Sequence, residues 1–379
     1  MTGLRQDVDP DGLLEYSVVY TDRSLNHMSQ RFGQALRDVS ATLKEVYGAR
    51  SAIVVPGSGS TGMEATARQF AGGQRCLIVR NGWFSYRWTQ ILEMSGIAPD
   101  PVVLKARRTG PGATAPFAPA PVDEVVAAIR ETKPAVVFAP HVETSAGLML
   151  PDGYIAAVAE AVHAEGGLMV LDCIASGAAW VDMKATGVDV LLSAPQKGWS
   201  STPCAGLVML SDRARERIDA TTSSSFSLDL KKWLGIIETY EGGAHAYHAT
   251  YPTDGLVQLR DAMAELRAFG FGNAKAAQAE LGRRVRAMFA ERGIASVAAP
   301  GFEAPGVVVS YTARDDWQNT KAWAAQGLQI AGGVPLACDE GPDFKTFRIG
   351  LFGIDKWRDV DAAVARLKTA LEALDPSRA

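Results

Sequence analysis

Three stretches of this 379-residue chain carry side chains suited to chemistry. Pro56-Gly57-Ser58-Gly59-Ser60-Thr61-Gly62 combines glycines with hydroxyls. Leu168-Met169-Val170-Leu171-Asp172 is an apolar run ending in a carboxylate, and Ser193-Ala194-Pro195-Gln196-Lys197-Gly198 follows another apolar run with an amine. The glycine-rich turn follows an expected strand and opens an expected helix, where free backbone N–H groups and the positive end of the helix dipole suit a phosphate. Ser58, Ser60 and Thr61 can add hydroxyl donors, while Thr61 with Glu64 also fits a capping box, a purely structural use. Neither the GxGxxG spacing nor the Gly-Lys-Ser/Thr of a P-loop is present, which argues against a dinucleotide or ATP. Asp172 and Lys197 both lie just past expected strand ends, where parallel α/β sheets bind ligands. Each alone has an ordinary explanation, since a strand-end Asp commonly caps a helix and a Lys before Gly is commonly solvated.

These residues need a frame that brings them together. Compact Val/Ile/Leu-rich runs at Ala52–Val55, Leu77–Val79, Ala135–Ala139, Leu168–Leu171, Val188–Leu192 and Leu207–Leu210 read as buried strands. Between them, Gly62–Ala71, Tyr86–Ser95, Val122–Glu131 and Gly153–Ala164 carry helix-period apolar residues. This βαβ alternation predicts an α/β fold with a mostly parallel, doubly wound sheet. Arg108–Pro121, rich in Gly, Pro and Ala, reads as a surface connection, and Arg107 and Arg108 as a solvated face. Near Leu256 the pattern changes to one long Ala/Leu/Arg-rich helix reaching about Arg292. Strand-like Val307–Tyr311, a helix around Trp317–Gln326, strand-like Phe347–Ile349 and a closing helix from Asp359 follow. We therefore expect an N-terminal arm (1–12), a large domain (13–260) and a smaller α+β domain (261–379).

Composition narrows the function classes. Hydrophobic residues are 47% and charged residues 21% of the chain, a globular mixture. A net charge of −4 argues against nucleic acid or an anionic membrane as the main partner. No apolar run is long enough for a membrane span, and the acidic start (Asp7, Asp9, Asp11) has no secretory pattern. Four scattered cysteines without a CxxC pair suggest neither a disulfide scaffold nor a zinc site, so the expected setting is the reducing cytoplasm with no bound metal.

A phosphate cradle, a carboxylate and a lysine amine are together the fixtures that pyridoxal phosphate needs, because its aldehyde condenses with Lys and its ring nitrogen pairs with an acid. The chain resembles the fold-type I, class V aminotransferases, most closely the alanine/serine–glyoxylate aminotransferase group. The resemblance, over roughly residues 25–375, rests on several blocks: Ser58-Gly59-Ser60 with Met63-Glu64-Ala65, Asn81-Gly82 before aromatic residues, His141-Val142-Glu143-Thr144-Ser145-Ala146-Gly147, and Asp172 with Ser176-Gly177. Ser193 through Gly198, Tyr247-His248-Ala249-Thr250 and Arg348-Ile349-Gly350-Leu351-Phe352-Gly353 complete it.

The resemblance implies a role for each matching position. Lys197 would carry the Schiff base and shuttle a proton, and Asp172 would pair with the pyridinium nitrogen. Ser58, Gly59, Ser60 and Gln196 would contact the phosphate. Phe84 would stack on the ring, with Trp83 the rival for that role, and Thr144 would bond the phenolic oxygen. Tyr247 and Thr250 would reach the phosphate of a neighbouring subunit, implying a homodimer with shared active sites. Arg348 would grip the substrate carboxylate through its planar guanidinium. His141 reads as structural, and neither Cys173 nor Cys204 is marked as nucleophilic.

One departure stands out. The group usually begins with a Pro-Gly-Pro segment lining the substrate pocket, whereas here the region runs Leu13-Leu14-Glu15-Tyr16-Ser17-Val18-Val19-Tyr20. Tyr16 and Tyr20 could present hydroxyls to a substrate or simply pack. The function implied is transamination between an alanine- or serine-like L-amino acid and a glyoxylate- or pyruvate-like 2-oxo acid. The alternative is a class V lyase such as a cysteine desulfurase. Those enzymes commonly carry His before the lysine and a catalytic Cys on a mobile loop, whereas here Gln196 precedes Lys197 and Cys338 follows a Gly-Gly-Val-Pro-Leu run.

Overall fold

The computed structural model describes residues 8–10 and 12–375, so most of the expected N-terminal arm lies outside the described residues. Seven strands form the main sheet, in the order Ser51–Pro56, Ala205–Leu210, Val190–Ser193, Leu168–Asp172, Val136–Pro140, Cys76–Arg80 and Val102–Lys105. The last five pair in parallel, and Ala205–Leu210 runs antiparallel to both of its neighbours. The six expected strands are present with ends shifted by one or two residues. The seventh, Val102–Lys105, is a half-buried edge strand whose short run is less apolar than those of the centre.

Helices cover the sheet, and the sequence explains their limits. The first, Gln30–Tyr47, is capped by Ser29, whose hydroxyl accepts from the Phe32 N–H at 3.0 Å, and ends at Gly48 in the left-handed region. Its buried Phe32, Leu36, Val39, Leu43 and Tyr47 recur at helical spacing and form one apolar stripe. The expected long helix after Leu256 is two, Thr253–Phe269 and Phe271–Glu291, broken at Gly270. The first of them runs unbroken through residue 260.

The C-terminal part carries an antiparallel three-stranded sheet, Val307–Tyr311, Thr346–Gly350 and Ala331–Gly332, and the closing helix Val360–Leu374. The helix expected around Trp317–Gln326 is two short pieces, Asp315–Gln318 and Lys321–Ala325.

The stretch from Arg108 to Pro121 is not a simple surface connection. Arg107–Arg108 pairs with Phe117–Ala118, and Phe117 is buried in a second apolar cluster with Val142, Leu148, Val309 and Leu336. Arg108 is correspondingly half-buried rather than fully solvated. Its guanidinium lies 4.8 Å from the Phe117 ring centre and donates to the Tyr311 hydroxyl and the Glu340 carbonyl. Arg107 does face solvent, paired with Glu124. No described helix is long and apolar enough to cross a membrane.

Candidate active site

Parallel strands ending side by side put their following loops at one edge, and there the singled-out residues meet. Asp172 ends its strand between Pro140 and Leu192 of the flanking strands. Lys197 lies on the loop that follows Val190–Ser193, and Ser58 to Ser60 sit where Ser51–Pro56 turns into the helix Gly59–Phe70. A cavity of about 460 Å³ at this edge is lined by Ser58, Gly59, Ser60, Phe84, Thr144, Asp172, Gln196, Lys197 and Arg348. Tyr247 and Thr250 do not line it. They bond to each other through their hydroxyls at 3.0 Å on the exposed side of the same chain.

The glycine-rich turn folds differently from the expected capping box. The helix begins at Gly59, with Ser58 as its N-cap, and Ser58 donates its backbone N–H to Thr61 Oγ1 at 3.1 Å. Glu64 is not a capping partner of Thr61, because it pairs with Arg68 one turn on. The first-turn backbone N–H groups and the Ser58 and Ser60 hydroxyls therefore stand at the cavity wall, a donor set suited to an oxyanion.

Asp172 is 8% exposed, and one of its oxygens accepts the Ile174 N–H at 2.9 Å. Burial pushes its carboxyl up to about 7; the Ile174 N–H and the Arg87 charge pull the other way, and Glu143 adds to the rise. A buried acid with one hydrogen-bonded oxygen and a second at a cavity suits a ring N–H. The Lys197 amine makes no hydrogen bond to a described residue and lies 5.0 Å from the Phe352 ring centre. Burial first, then the Arg348 charge, lowers its pKa, the direction a proton-shuttling amine requires. Its loop is seated by close backbone approach, since a Cβ on Gly198 would lie 2.3 Å from the Gly177 carbonyl oxygen.

Arg348 reaches the cavity from the central strand of the C-terminal sheet. Its Nε donates to the Gly332 carbonyl at 2.8 Å, which leaves both Nη groups without a bond to any described residue. Phe84, not Trp83, lines the cavity. The Trp83 ring packs against Tyr86 at 5.6 Å, and the Trp83 backbone N–H donates to Ser145 Oγ at 2.9 Å.

Sequence reasoning missed two residues. Glu143 is fully buried and accepts from the backbone N–H groups of Phe84, Ser85 and Ser145 and from the Ser85 and Ser145 hydroxyls, between 2.7 and 3.2 Å. It anchors the start of the helix Trp83–Met94, where a Cβ on Gly82 would collide with Ser145 Oγ. Arg87 also lines the cavity, donating to Ser60 Oγ at 2.9 Å.

His141 is structural as expected. Its Nδ1 bonds Ser176 Oγ at 2.7 Å, and burial lowers its pKa to about 4. Tyr20 donates to the Tyr251 carbonyl, Tyr16 is solvent-exposed, and neither lines the cavity. All four cysteines are buried and free.

Comparison with known proteins decides the family. Residues 13–308 match the family model described as aminotransferase class-V. The chain belongs to the class-V aminotransferases. It is 27% identical over 359 residues to the alanine–glyoxylate aminotransferase of Oryctolagus cuniculus, a match covering 92% of this chain and 87% of the relative. It is 30% identical over 342 residues to 2-aminoethylphosphonate–pyruvate transaminase 2 of Paraburkholderia xenovorans, covering 88% and 86%. Among solved structures, an alanine–glyoxylate aminotransferase from Nostoc sp. superimposes with a TM-score of 0.77 at 23% identity, covering 92% and 89%. This class-V aminotransferase is thus an enzyme that moves amino groups between amino and oxo acids, built on the expected fold-type I frame of a mostly parallel sheet with a smaller C-terminal part.

Proposed function

We propose that the cavity holds pyridoxal 5'-phosphate and that the enzyme exchanges an amino group between an alanine- or serine-like L-amino acid and a glyoxylate- or pyruvate-like 2-oxo acid. One observation carries this reading: the Lys197 amine and the Asp172 carboxylate face a single cavity beneath the Ser58–Ser60 turn. The donor set fits the cofactor in kind, with hydroxyls and helix-start N–H groups for a phosphate and a raised carboxyl for a ring nitrogen. When bound, pyridoxal phosphate supplies an aldehyde that condenses with an amine and a ring that withdraws electrons.

The chain's own residues would do the rest. Ser58, Gly59, Ser60 and Gln196 hold the phosphate, Phe84 packs against the ring face and Thr144 offers a hydroxyl to the ring oxygen. Asp172 keeps a proton at the ring nitrogen. Arg348, with both Nη groups free of described partners, grips the substrate carboxylate and so aims the α-carbon at Lys197. Lys197, neutral more readily than an exposed lysine, would take the proton from the substrate α-carbon and hold it for return within the same cavity.

Tyr247 and Thr250, exposed and off their own cavity, are suited to reach the phosphate site of a second copy, which supports a homodimer with shared active sites. The names of the relatives support the small oxo acids, and the reduced, buried cysteines accord with a cytoplasmic setting. A desulfurase is the weaker reading. It needs a reactive thiol at the site, whereas Cys338 does not line the cavity and burial raises its thiol to about 12.

The test is a half-reaction. Protein loaded with pyridoxal phosphate is mixed in turn with L-alanine, L-serine and 2-aminoethylphosphonate, and the cofactor's conversion to pyridoxamine phosphate is followed with release of the oxo product. Conversion by alanine or serine supports the proposal. Sulfide release from cysteine without any conversion would replace it with the lyase.

A further inference from the structure

The cavity is over-supplied with positive charge. Arg87, Lys197 and Arg348 line it against one carboxylate, Asp172. Lys197 and Arg348 have roles in the proposed reaction, and Arg87 has none. It lies on the helix Trp83–Met94, three residues past Phe84, so both side chains project from one helical face. Its guanidinium carbon is 5.1 Å from the Phe84 ring centre, and among the described residues it makes no ion pair.

Arg87 makes one hydrogen bond to a described residue, Nη1 to the Ser60 hydroxyl at 2.9 Å. A hydroxyl that accepts from a guanidinium has its own proton left to donate elsewhere. Among the described residues no acceptor takes the Ser60 proton. Ser60 sits in the first turn of the helix Gly59–Phe70, beside the Ser58 hydroxyl and the helix-start N–H groups. That proton, polarised by the guanidinium behind it, is available to an anion in the cavity. The dipole end of a helix supplies only about half an elementary charge, whereas a phosphate monoester carries close to two negative charges near neutral pH.

We propose that Arg87 is a positioning residue of the phosphate subsite, turning the Ser60 hydroxyl into a fixed donor and supplying the guanidinium charge that the turn alone lacks. This rests on the reading of the cavity as a pyridoxal phosphate site. It adds to that reading a cationic member which acts through Ser60 rather than on the ring or the substrate carboxylate.

The experiment titrates cofactor-free protein with pyridoxal phosphate and, separately, with pyridoxal, which has the same aldehyde and ring but no phosphate. The visible band of each adduct reports binding without turnover. Arg87→Gln is expected to weaken pyridoxal phosphate about 10- to 100-fold, the range for losing a charge-assisted hydrogen bond, and to change pyridoxal far less, only through the charge that Arg87 exerts on Asp172. Ser60→Ala weakens pyridoxal phosphate less, and Arg87→Gln added to Ser60→Ala costs less than it does alone, because part of its effect passes through that hydroxyl. Arg87→Lys, which keeps the charge and maintains the fold should Arg87→Gln not, falls between wild type and Ser60→Ala.

Equal weakening of both ligands by Arg87→Gln would mean that Arg87 only supports Phe84, and would overturn the proposal. Unchanged binding of both would overturn it too. Wild-type protein that forms no band with pyridoxal phosphate would fail earlier and differently, removing the cofactor reading itself.

Discussion

The amine of Lys197 lies 5.0 Å from the centre of the Phe352 ring, so a residue just past the C-terminal sheet forms part of the environment of an amine carried by the large sheet. The same C-terminal sheet delivers Arg348 to the cavity. Both contacts bear on the amine. The aromatic face shelters it from water, while the guanidinium disfavours its charged form.

The Lys197 pKa should therefore rise when Arg348 loses its charge. Removing a neighbouring cation favours the ammonium, so in cofactor-free Arg348→Gln the half-labelling pH of Lys197 by an acylating reagent, read by peptide mapping, moves upward. In the loaded enzyme the same variant raises KM for the amino acid by about 10- to 100-fold, as expected for a lost charge-assisted pair, and spares cofactor binding. An unchanged KM would remove Arg348 from substrate recognition.

Asp172 predicts a pH-dependent change in stability. Its carboxyl, raised to about 7 by burial, destabilises the cofactor-free fold only when ionised. The penalty is absent below the unfolded-state value and complete above the folded one. Asp172→Asn should thus raise Tm by on the order of 2 °C at about pH 8 and leave it unchanged near pH 4. A shift of equal size at both ends would mean that the carboxylate charge is not what the fold resists.

The two neighbouring aromatics separate cleanly. Phe84 faces the cavity and Trp83 packs on Tyr86. Phe84→Leu should weaken pyridoxal phosphate by about 3- to 10-fold, the worth of an aromatic pair, and Trp83→Leu should have a smaller effect. Fluorescence titration of cofactor-free protein measures both, and the reverse ranking would restore Trp83 as the stacking residue.

Glu143 tests the frame beneath the site. Replacing it with Ala strands two backbone N–H groups at the helix start, that of Ser145 and the Ser145 hydroxyl, while the Ser85 hydroxyl keeps the Gly82 carbonyl. The expected loss is about 3 kcal/mol in urea unfolding of the cofactor-free protein. A loss under about 1 kcal/mol would mean that water replaces the carboxylate there.

What could be read from the sequence follows range of interaction. Asp172 and Lys197 were legible because a buried strand is a local apolar run and its end announces where a side chain emerges. Ser58 to Ser60 were legible for the same reason, although the cap was misplaced by three residues, because Thr61 turned inward to the Ser58 N–H. Glu143 was not legible as an anchor, since its partners Phe84 and Ser85 lie 58 or 59 residues away. Arg87 did leave a signal, its three-residue spacing from Phe84, but its hydroxyl partner is on another helix. Arg108 misled because two arginines beside a Gly/Pro-rich stretch read as solvated, while the aromatic rings that cover one of them come from Phe117 and Tyr311.

The most direct measurement is to load the protein with pyridoxal phosphate, reduce it with borohydride, digest it and map the modified peptide. A phosphopyridoxyl group is expected on Lys197 alone, and none on Lys197→Ala treated in parallel. Modification of a different lysine, or of none, would contradict it.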